Sequence, residues 1–241
     1  LAPITDAGAF LPKTVPFDIK GTKLAFLDKF KKYFKAGKPI MCKLVKGGGG
    51  IGIINTDKFE DFMRHMEPYY KHMHANPENF KRNEWVLQEY INNPFLIDGK
   101  KTHIRQMLII RPSGKPCFYI NTGKIALAEK KYVSGDWHDK DIHDTHFHDK
   151  IAISWPNDAG LTQAQIKKVT KQLDAMYAII VGAFRKIEAD NGTLCNGESS
   201  NCFDVLGVDI MLTDDLKVKL LELNGRPGYS QDRKLTGTIF K

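Results

Sequence analysis

The sequence holds no apolar run near the roughly 20 residues that a membrane-spanning helix requires. Its longest candidate, residues 175–184, reads as the buried face of a helix. Cysteine is scarce. Cys42, Cys117, Cys195 and Cys202 include no CxxC pair, which excludes a disulfide framework and points to a reducing, cytoplasmic compartment. The Cys195 and Cys202 pair reads as two thiols in one loop. Residues 1–30 carry no signal-peptide pattern, and no internal repeat or low-complexity segment is present. No basic stripe interleaved with aromatics appears, so nucleic acid is disfavoured as a partner. The first residue is Leu1, not Met, so a fragment or a processed chain is expected.

What is present suits a globular protein. The chain has 241 residues, 42% hydrophobic and 27% charged, with a formal net charge of +8. That length supports one large or two small domains with a proper core. The positive excess calls for an anionic partner without naming it.

The patterning predicts mixed helices and strands. Residues 1–20 are punctuated by Pro3, Pro12 and Pro16, and residues 22–33 read as a short basic helix. Residues 39–45 read as a strand running into Gly47-Gly48-Gly49-Gly50, a loop between two strands. Asp57 is expected to cap a helix with Glu60 as capping-box partner. Residues 85–91 form a strand that ends at Asn92-Asn93-Pro94, and residues 102–122 a strand–turn–strand hairpin. Residues 136–150 alternate His with Asp and read as a loop. Thr162 caps a long helix reaching about Glu188. Residues 203–212 and 217–223 form a last hairpin.

That hairpin carries the clearest chemistry. Asp209 lies in an apolar strand, and Glu222 and Asn224 lie on the returning one. Side chains two apart share a face of a strand, so Glu222 and Asn224 point the same way, with Asp209 roughly opposite. Two carboxylates and an amide oxygen suit Mg²⁺. A half-exposed polar sheet face is the competing reading. The glycine run is neither a Walker A loop, since no Gly-Lys-Ser/Thr follows, nor a dinucleotide fingerprint, since a strand follows it where a helix is required. A glycine loop beside a strand-borne lysine can nevertheless hold phosphates. In the His-rich stretch, His138, His143, His146 and His148 alternate with Asp136, Asp139, Asp141, Asp144 and Asp149. Transition-metal binding and a solvated loop over a cleft are both open there, and the loop reading is preferred.

Four elements in order resemble the ATP-grasp ligases, and within them the tubulin–tyrosine-ligase-like family. They are Lys43-Leu44 with Gly50-Ile51-Gly52-Ile53; Gln88-Glu89-Tyr90-Ile91-Asn92-Asn93-Pro94; Lys101-Thr102-His103-Ile104-Arg105; and Asp209 with Glu222-Leu223-Asn224-Gly225-Arg226-Pro227. The resemblance spans roughly residues 10–230.

The resemblance implies an α+β, ATP-grasp fold, with two α+β lobes of mainly antiparallel sheet holding ATP between them. Residues 1–38 would be an N-terminal remnant or linker, 39–93 the small lobe and 94–241 the C-terminal lobe. It implies ATP contacts from Lys43, Lys46, Gly48, Gly49, Gly50, Gln88, Glu89, Tyr90, Ile91, Lys101, His103 and His146. Glu89 and Ile91 would offer backbone groups to the adenine edge. Asp209, Glu222 and Asn224 would hold Mg²⁺. Lys101 and Arg105 would be catalytic, and Arg105 and Arg226 would bind substrate. The implied reaction is ATP-dependent joining of an amino acid to a peptide or protein through an acyl phosphate, and an acidic protein tail is one partner in view.

The pattern also departs from the family. His103 stands where Asp is usual, His146 where Asn is usual, Gly49 where a second basic residue is expected, and the family's preceding domain is absent or reduced. Those departures motivate an alternative: a degenerate, non-catalytic ATP-grasp module that binds nucleotide or an acidic protein.

Overall fold

The structure, a computed structural model, describes residues 7–19, 24–45, 52–75, 84–112, 115–145, 152–192 and 202–225. Two antiparallel sheets organise it. The smaller has four strands: β1 (Thr14–Asp18), β2 (Ile40–Leu44), β3 (Ile54–Thr56) and β4 (Glu84–Glu89), in the order β1-β4-β2-β3. Helix α2 (Phe59–Ala75) and a 3-10 helix (Leu24–Tyr33) cover it. Their shared core holds Phe17, Leu27, Phe30, Phe62, Met66, Trp85 and Leu87.

Two expectations are corrected in this lobe. The stretch 1–38 is not merely a remnant or linker. Its β1 pairs with β4 from Thr14↔Gln88 to Asp18↔Glu84, and Phe17 enters the core. Pro16 is tolerated because β1 is an edge strand. A short α1 (Ala7–Phe10) also reaches the other lobe, where Lys219 Nζ donates to the Ala9 carbonyl at 2.7 Å. The Asp57 capping box does not form. Asp57 Oδ2 instead accepts the Gly37 N–H at 2.8 Å, a partner twenty residues away that local sequence cannot reveal.

The larger sheet has seven strands. Its main path is β11-β10-β6-β8-β9, from β6 (Lys100–Ile110), β8 (Gly123–Lys131), β9 (Ala152–Trp155), β10 (Asp204–Leu212) and β11 (Val218–Asn224). The two-residue strands β5 (Leu96–Ile97) and β7 (Phe118–Tyr119) pair with β6. Helix α4 (Gln163–Asn191) lies on one face, capped as expected by Thr162, which forms a capping box with Gln165. Val169, Leu173, Met176 and Ile180 of α4 pack on Ile104, Leu108, Val208 and Ile210. Side chains alternate along a strand, so Lys101, His103, Arg105 and Asp209 take the opposite face.

Two further corrections concern loops. The His/Asp-rich stretch contains α3 (Lys140–His143), capped by Asp139, and buries Trp137, Ile142 and His143. Cys202 is disulfide-bonded, so a pair of free thiols is not what that loop holds; Cys42 and Cys117 are free. Among the described residues, no helix is long and apolar enough to cross a membrane.

Candidate active site in the interlobe cleft

The hairpin register brings the expected residues together. Asp209 pairs with Glu222 on β11 and with Arg105 on β6, and Gly207 pairs with Asn224. Arg105, Asp209 and Glu222 therefore form a row across three neighbouring strands. A bulge interrupts the ladder, because Asp209 pairs with Glu222 while Ile210 pairs with Leu220. Leu221 is the extra residue, and its carbonyl is turned out of the ladder. Lys43 Nζ, reaching from β2 of the other lobe, donates to that carbonyl at 3.3 Å.

The row is tightly paired. Arg105 clamps Asp209 with two donors, Nε to Oδ1 and Nη2 to Oδ2, the latter at 2.6 Å. Asn224 Nδ2 donates to Asp209 Oδ2 at 3.1 Å and to Glu222 Oε1 at 3.0 Å. Burial lowers the pKa of Arg105, but the hydrogen bond and charge of Asp209, with Glu222 behind it, outweigh that and raise it. Burial lowers the pKa of Lys43, and Glu222 and Asp209 oppose the shift. β8 lies unusually close to this strand. A Cβ at Gly123 would sit 2.5 Å from the Arg105 carbonyl oxygen, so the close approach there needs glycine.

The other end of the cleft is a buried polar network. Lys101 is 3% exposed. Its Nζ donates to Tyr90 Oη at 2.9 Å and to the His143 carbonyl at 3.3 Å, and it lies 4.5 Å from the Tyr90 ring centroid. His143 Nε2 lies 2.6 Å from the Asp136 carbonyl, and its Nδ1 lies 2.7 Å from Tyr90 Oη. A carbonyl only accepts, so Nε2 carries the proton and Nδ1 accepts from Tyr90. Burial lowers the Lys101 pKa to about 7, with Asp144 opposing; burial also lowers that of His143 and raises that of Tyr90. Between the two ends, His103 Nδ1 lies 2.7 Å from Thr145 Oγ1, and its Nε2 lies 3.9 Å from Asp209 Oδ1.

A cavity of about 390 Å³ joins these groups, lined by Lys43, Gln88, Glu89, Tyr90, Ile91, Lys101, His103, Arg105, Asp209 and Glu222. Asn224 does not line it but bonds to both carboxylates that do. Gln88 is turned toward β1, where its Nε2 donates to Thr14 Oγ1 at 2.9 Å. The Glu89 N–H donates to the Lys13 carbonyl at 2.8 Å and is not available to a base. Lys46, Gly48, Gly49, Gly50, His146 and Arg226 lie outside the described residues. Sequence reasoning missed Met41, His65, Trp137, Thr145 and Met211, which also line the cavity. Alternation could have found Met41 and Met211, which lie two residues from Lys43 and Asp209 on the same strands. Nothing local marks Thr145 or Trp137.

Among the described residues, no group of three or more His, Cys, Asp or Glu is placed to hold a metal. The paired carboxylates of Asp209 and Glu222 with the Asn224 amide are a hard-oxygen donor set that fits Mg²⁺ in chemistry. Asn224 now turns its NH₂ toward both carboxylates, so its oxygen would join a cation only after the amide rotates.

A family model described as the tubulin-tyrosine ligase family matches residues 18–149 and 154–241. The chain is 25% identical over 259 residues to the tubulin polyglutamylase TTLL7 of Homo sapiens, covering 94% of this chain and 27% of that protein. It is 25% identical over 220 residues to a probable tubulin polyglutamylase, ttll-9, of Caenorhabditis elegans, covering 85% and 49%. The chain thus spans half or less of the length of these relatives. Among solved structures, the C-terminal domain of K. lactis Pby1 matches with a TM-score of 0.58 at 18% identity, over 95% of this chain and 62% of that one. That domain is described as an ATP-grasp enzyme interacting with the mRNA decapping enzyme Dcp2. The likeness shows the fold: two antiparallel lobes in the ATP-grasp arrangement.

Proposed function

From the premise that the chain belongs to the tubulin-tyrosine ligase family, we propose that it is an ATP-dependent carboxylate–amine ligase acting on a peptide or protein. The observation that carries this reading is the convergence of Asp209, Glu222 and Asn224 with Lys43 and Arg105 at one end of a single cleft. A substrate carboxylate would attack the γ-phosphorus of ATP, forming an acyl phosphate and releasing ADP. An amine would then displace phosphate, form the amide and lose a proton. Neither step needs a protein nucleophile. Lys43 would neutralise phosphate charge, and Arg105 would hold the acyl-phosphate oxygens. Asp209, Glu222 and Asn224 would hold Mg²⁺, which when bound would offset negative charge on phosphate oxygens. Gln88, Glu89, Tyr90 and Ile91 would bound the adenine end. The relatives' names make tubulin the first protein substrate to try, with an acidic tail as the acceptor.

The test is ADP release with Mg²⁺, scanning amino acids against acidic peptides, with mass spectrometry of the product. Wild type should release ADP and add amino-acid mass. Glu222→Gln should cut turnover by about 10²–10³-fold while leaving the fold unchanged. An active Glu222→Gln enzyme would sink the metal reading. A second reading is a non-catalytic nucleotide-binding module. The specific observation favouring it is that Asp209 is already paired with Arg105 and hydrogen-bonded by Asn224, with His103 beside it. ATP binding with no ADP release across the whole scan would select that reading.

A further inference from the structure

The ladder between β2 and β3 stops short of the strand end that carries Lys43. Its pairs are Ile40↔Thr56, Met41↔Asn55 and Cys42↔Ile54. On the other side of β2 the ladder to β4 continues, with Lys43↔Val86 and Leu44↔Trp85. Extended by its own register, the β3 ladder would set Leu44 opposite Gly52. Gly52 is buried, with a φ of 77°, and a Cβ there would lie 3.4 Å from Trp85 Cη2 and 3.5 Å from Leu44 Cβ. Its backbone conformation calls for glycine, and its buried carbonyl, outside the ladder, still needs a donor. Trp85 Nε1 does not supply one, being buried with no hydrogen-bond partner among the described residues. His65 of α2 does, with its Nε2 at 3.3 Å from the Gly52 carbonyl oxygen. The imidazole is itself held in place. Its centroid lies 5.4 Å from that of Tyr69, one helical turn on, and 6.2 Å from that of Trp85, edge to face. Burial lowers its pKa, the Gly52 carbonyl opposes the shift, and the Lys140 ammonium of α3 adds to it. The ring is therefore neutral near neutral pH. A carbonyl only accepts, so Nε2 carries the proton.

We propose that His65 is a positioning residue for the phosphate end of the cleft, acting through Gly52 on the strand end that carries Lys43. Gly52 packs on Leu44, and Leu44 follows Lys43, whose Nζ crosses to the Leu221 carbonyl. Ile53, the residue after Gly52, lines the cavity, and so does His65. Holding the Gly52 carbonyl therefore fixes two pieces of cavity wall at once: the end of β2 and the entry to β3. It takes the place of the ladder bond that β2 and β3 do not make there. The role asks of His65 one donated hydrogen bond and no proton transfer.

This inference rests on the proposed ATP binding in the cleft, but not on ligation. The test is calorimetric titration of ATP with Mg²⁺ into the full chain, with ADP release measured alongside. His65→Leu keeps much of the bulk and removes the donor. It should raise the ATP Kd and KM by about three- to tenfold, with kcat within about twofold of wild type. Conservative variants separate the hydrogen bond from the bulk. A Gln amide nitrogen reaches the position of Nε2, whereas an Asn amide nitrogen reaches only that of Nδ1. His65→Gln should therefore recover the affinity to within about twofold of wild type, and His65→Asn should behave as His65→Leu does. Heteronuclear NMR of the His65 ring nitrogens, without nucleotide, should place the proton on Nε2. A ring protonated on Nδ1, equal affinities in wild type and all three variants, His65→Gln as weak as His65→Leu, or His65→Asn as strong as wild type would each overturn the proposal. If His65→Leu lowers the melting temperature, the contrast between the Gln and Asn variants is read below both transitions. ATP binding that follows this contrast without ADP release rejects the ligase and keeps the positioning role; ADP release without the contrast does the reverse. A wild type that binds no ATP overturns both.

Discussion

The two ends of the cleft each hold a lysine, and they hold it by opposite means. Lys43 is half-buried at the catalytic end, where Asp209 and Glu222 offset its charge. Lys101 is fully buried at the hinge end, bound to a hydroxyl and a carbonyl, with Asp144 acting on it as a charge. The catalytic end is an arrangement of full charges whose partners fix one another. The hinge end is an arrangement of neutral dipoles around one ammonium. Charges near the surface can exchange partners as phosphates arrive; a dry network of single donors and acceptors cannot rearrange without leaving a group unsatisfied. The difference assigns adaptability to one end and rigidity to the other.

The largest expected break is at the catalytic end. Asp209→Asn removes the carboxylate that Arg105 clamps and takes the nearest negative charge from a mostly buried guanidinium. The expected cost is about 3–5 kcal/mol, read as a lower midpoint in chemical denaturation. Glu222→Gln, on an exposed side chain, should move that midpoint by less than about 0.5 kcal/mol. Equal stability losses at the two positions would show that the row does not divide into a structural and a purely chemical carboxylate.

This division was only partly visible in the sequence. Alternation put Glu222 and Asn224 on one face, and the turn put Asp209 roughly opposite them; the pairing of Asp209 with Glu222 itself came from the register. The bulge at Leu221 was not visible, because it arises from how two strands meet and not from either alone. The helix over 24–33 was legible as a helix, but its 3-10 geometry was not. Apolar residues at 24, 27, 30 and 34 suit a period of 3.6 as readily as one of 3.0, so the pattern does not choose between the two. The hinge end was least legible. A stretch dense in His and Asp reads as solvated, yet Trp137, Ile142 and His143 anchor it inside. The polar majority hides three buried side chains whose partners, Tyr90 and Lys101, lie some forty to fifty residues earlier.

The next prediction uses pH to separate the two lysines. The Lys101 pKa is about 7 in the folded chain, against 10.5 as its ordinary value. Below 7 both folded and unfolded chains carry the proton, so folding bears the full cost of burying an ammonium. Between 7 and 10.5 the unfolded chain binds more protons, so the Lys101 contribution to stability rises with pH. Lys101→Met should therefore stabilise the protein relative to wild type more at pH 6 than at pH 10, with a difference on the order of 2–4 kcal/mol. Denaturation series at both values read it directly. A gap that does not change with pH would mean that Lys101 keeps an ordinary pKa, and the hinge end would then resemble the catalytic end in holding a full charge.

The smallest expected effect is the sharpest test of rigidity. Tyr90→Phe keeps the ring beneath the ammonium and removes one oxygen, which both accepts from Lys101 and donates to His143 Nδ1. Lys101 would keep the His143 carbonyl, while Nδ1 would be left buried without a donor. The cost of such a group is about 1–3 kcal/mol. The consequence for nucleotide binding differs from that of a lost contact. If Tyr90 acts by holding Lys101 and α3 in place, Tyr90→Phe should raise the ATP KM, and acid should not restore the loss. Protonating His143 turns Nδ1 into a donor, but the oxygen that could accept from it leaves with the substitution, so that nitrogen stays unsatisfied. A stability loss that shrinks as the pH falls from 8 to 5 would show that Nδ1 finds another acceptor, and the network at the hinge end would be looser than its distances imply.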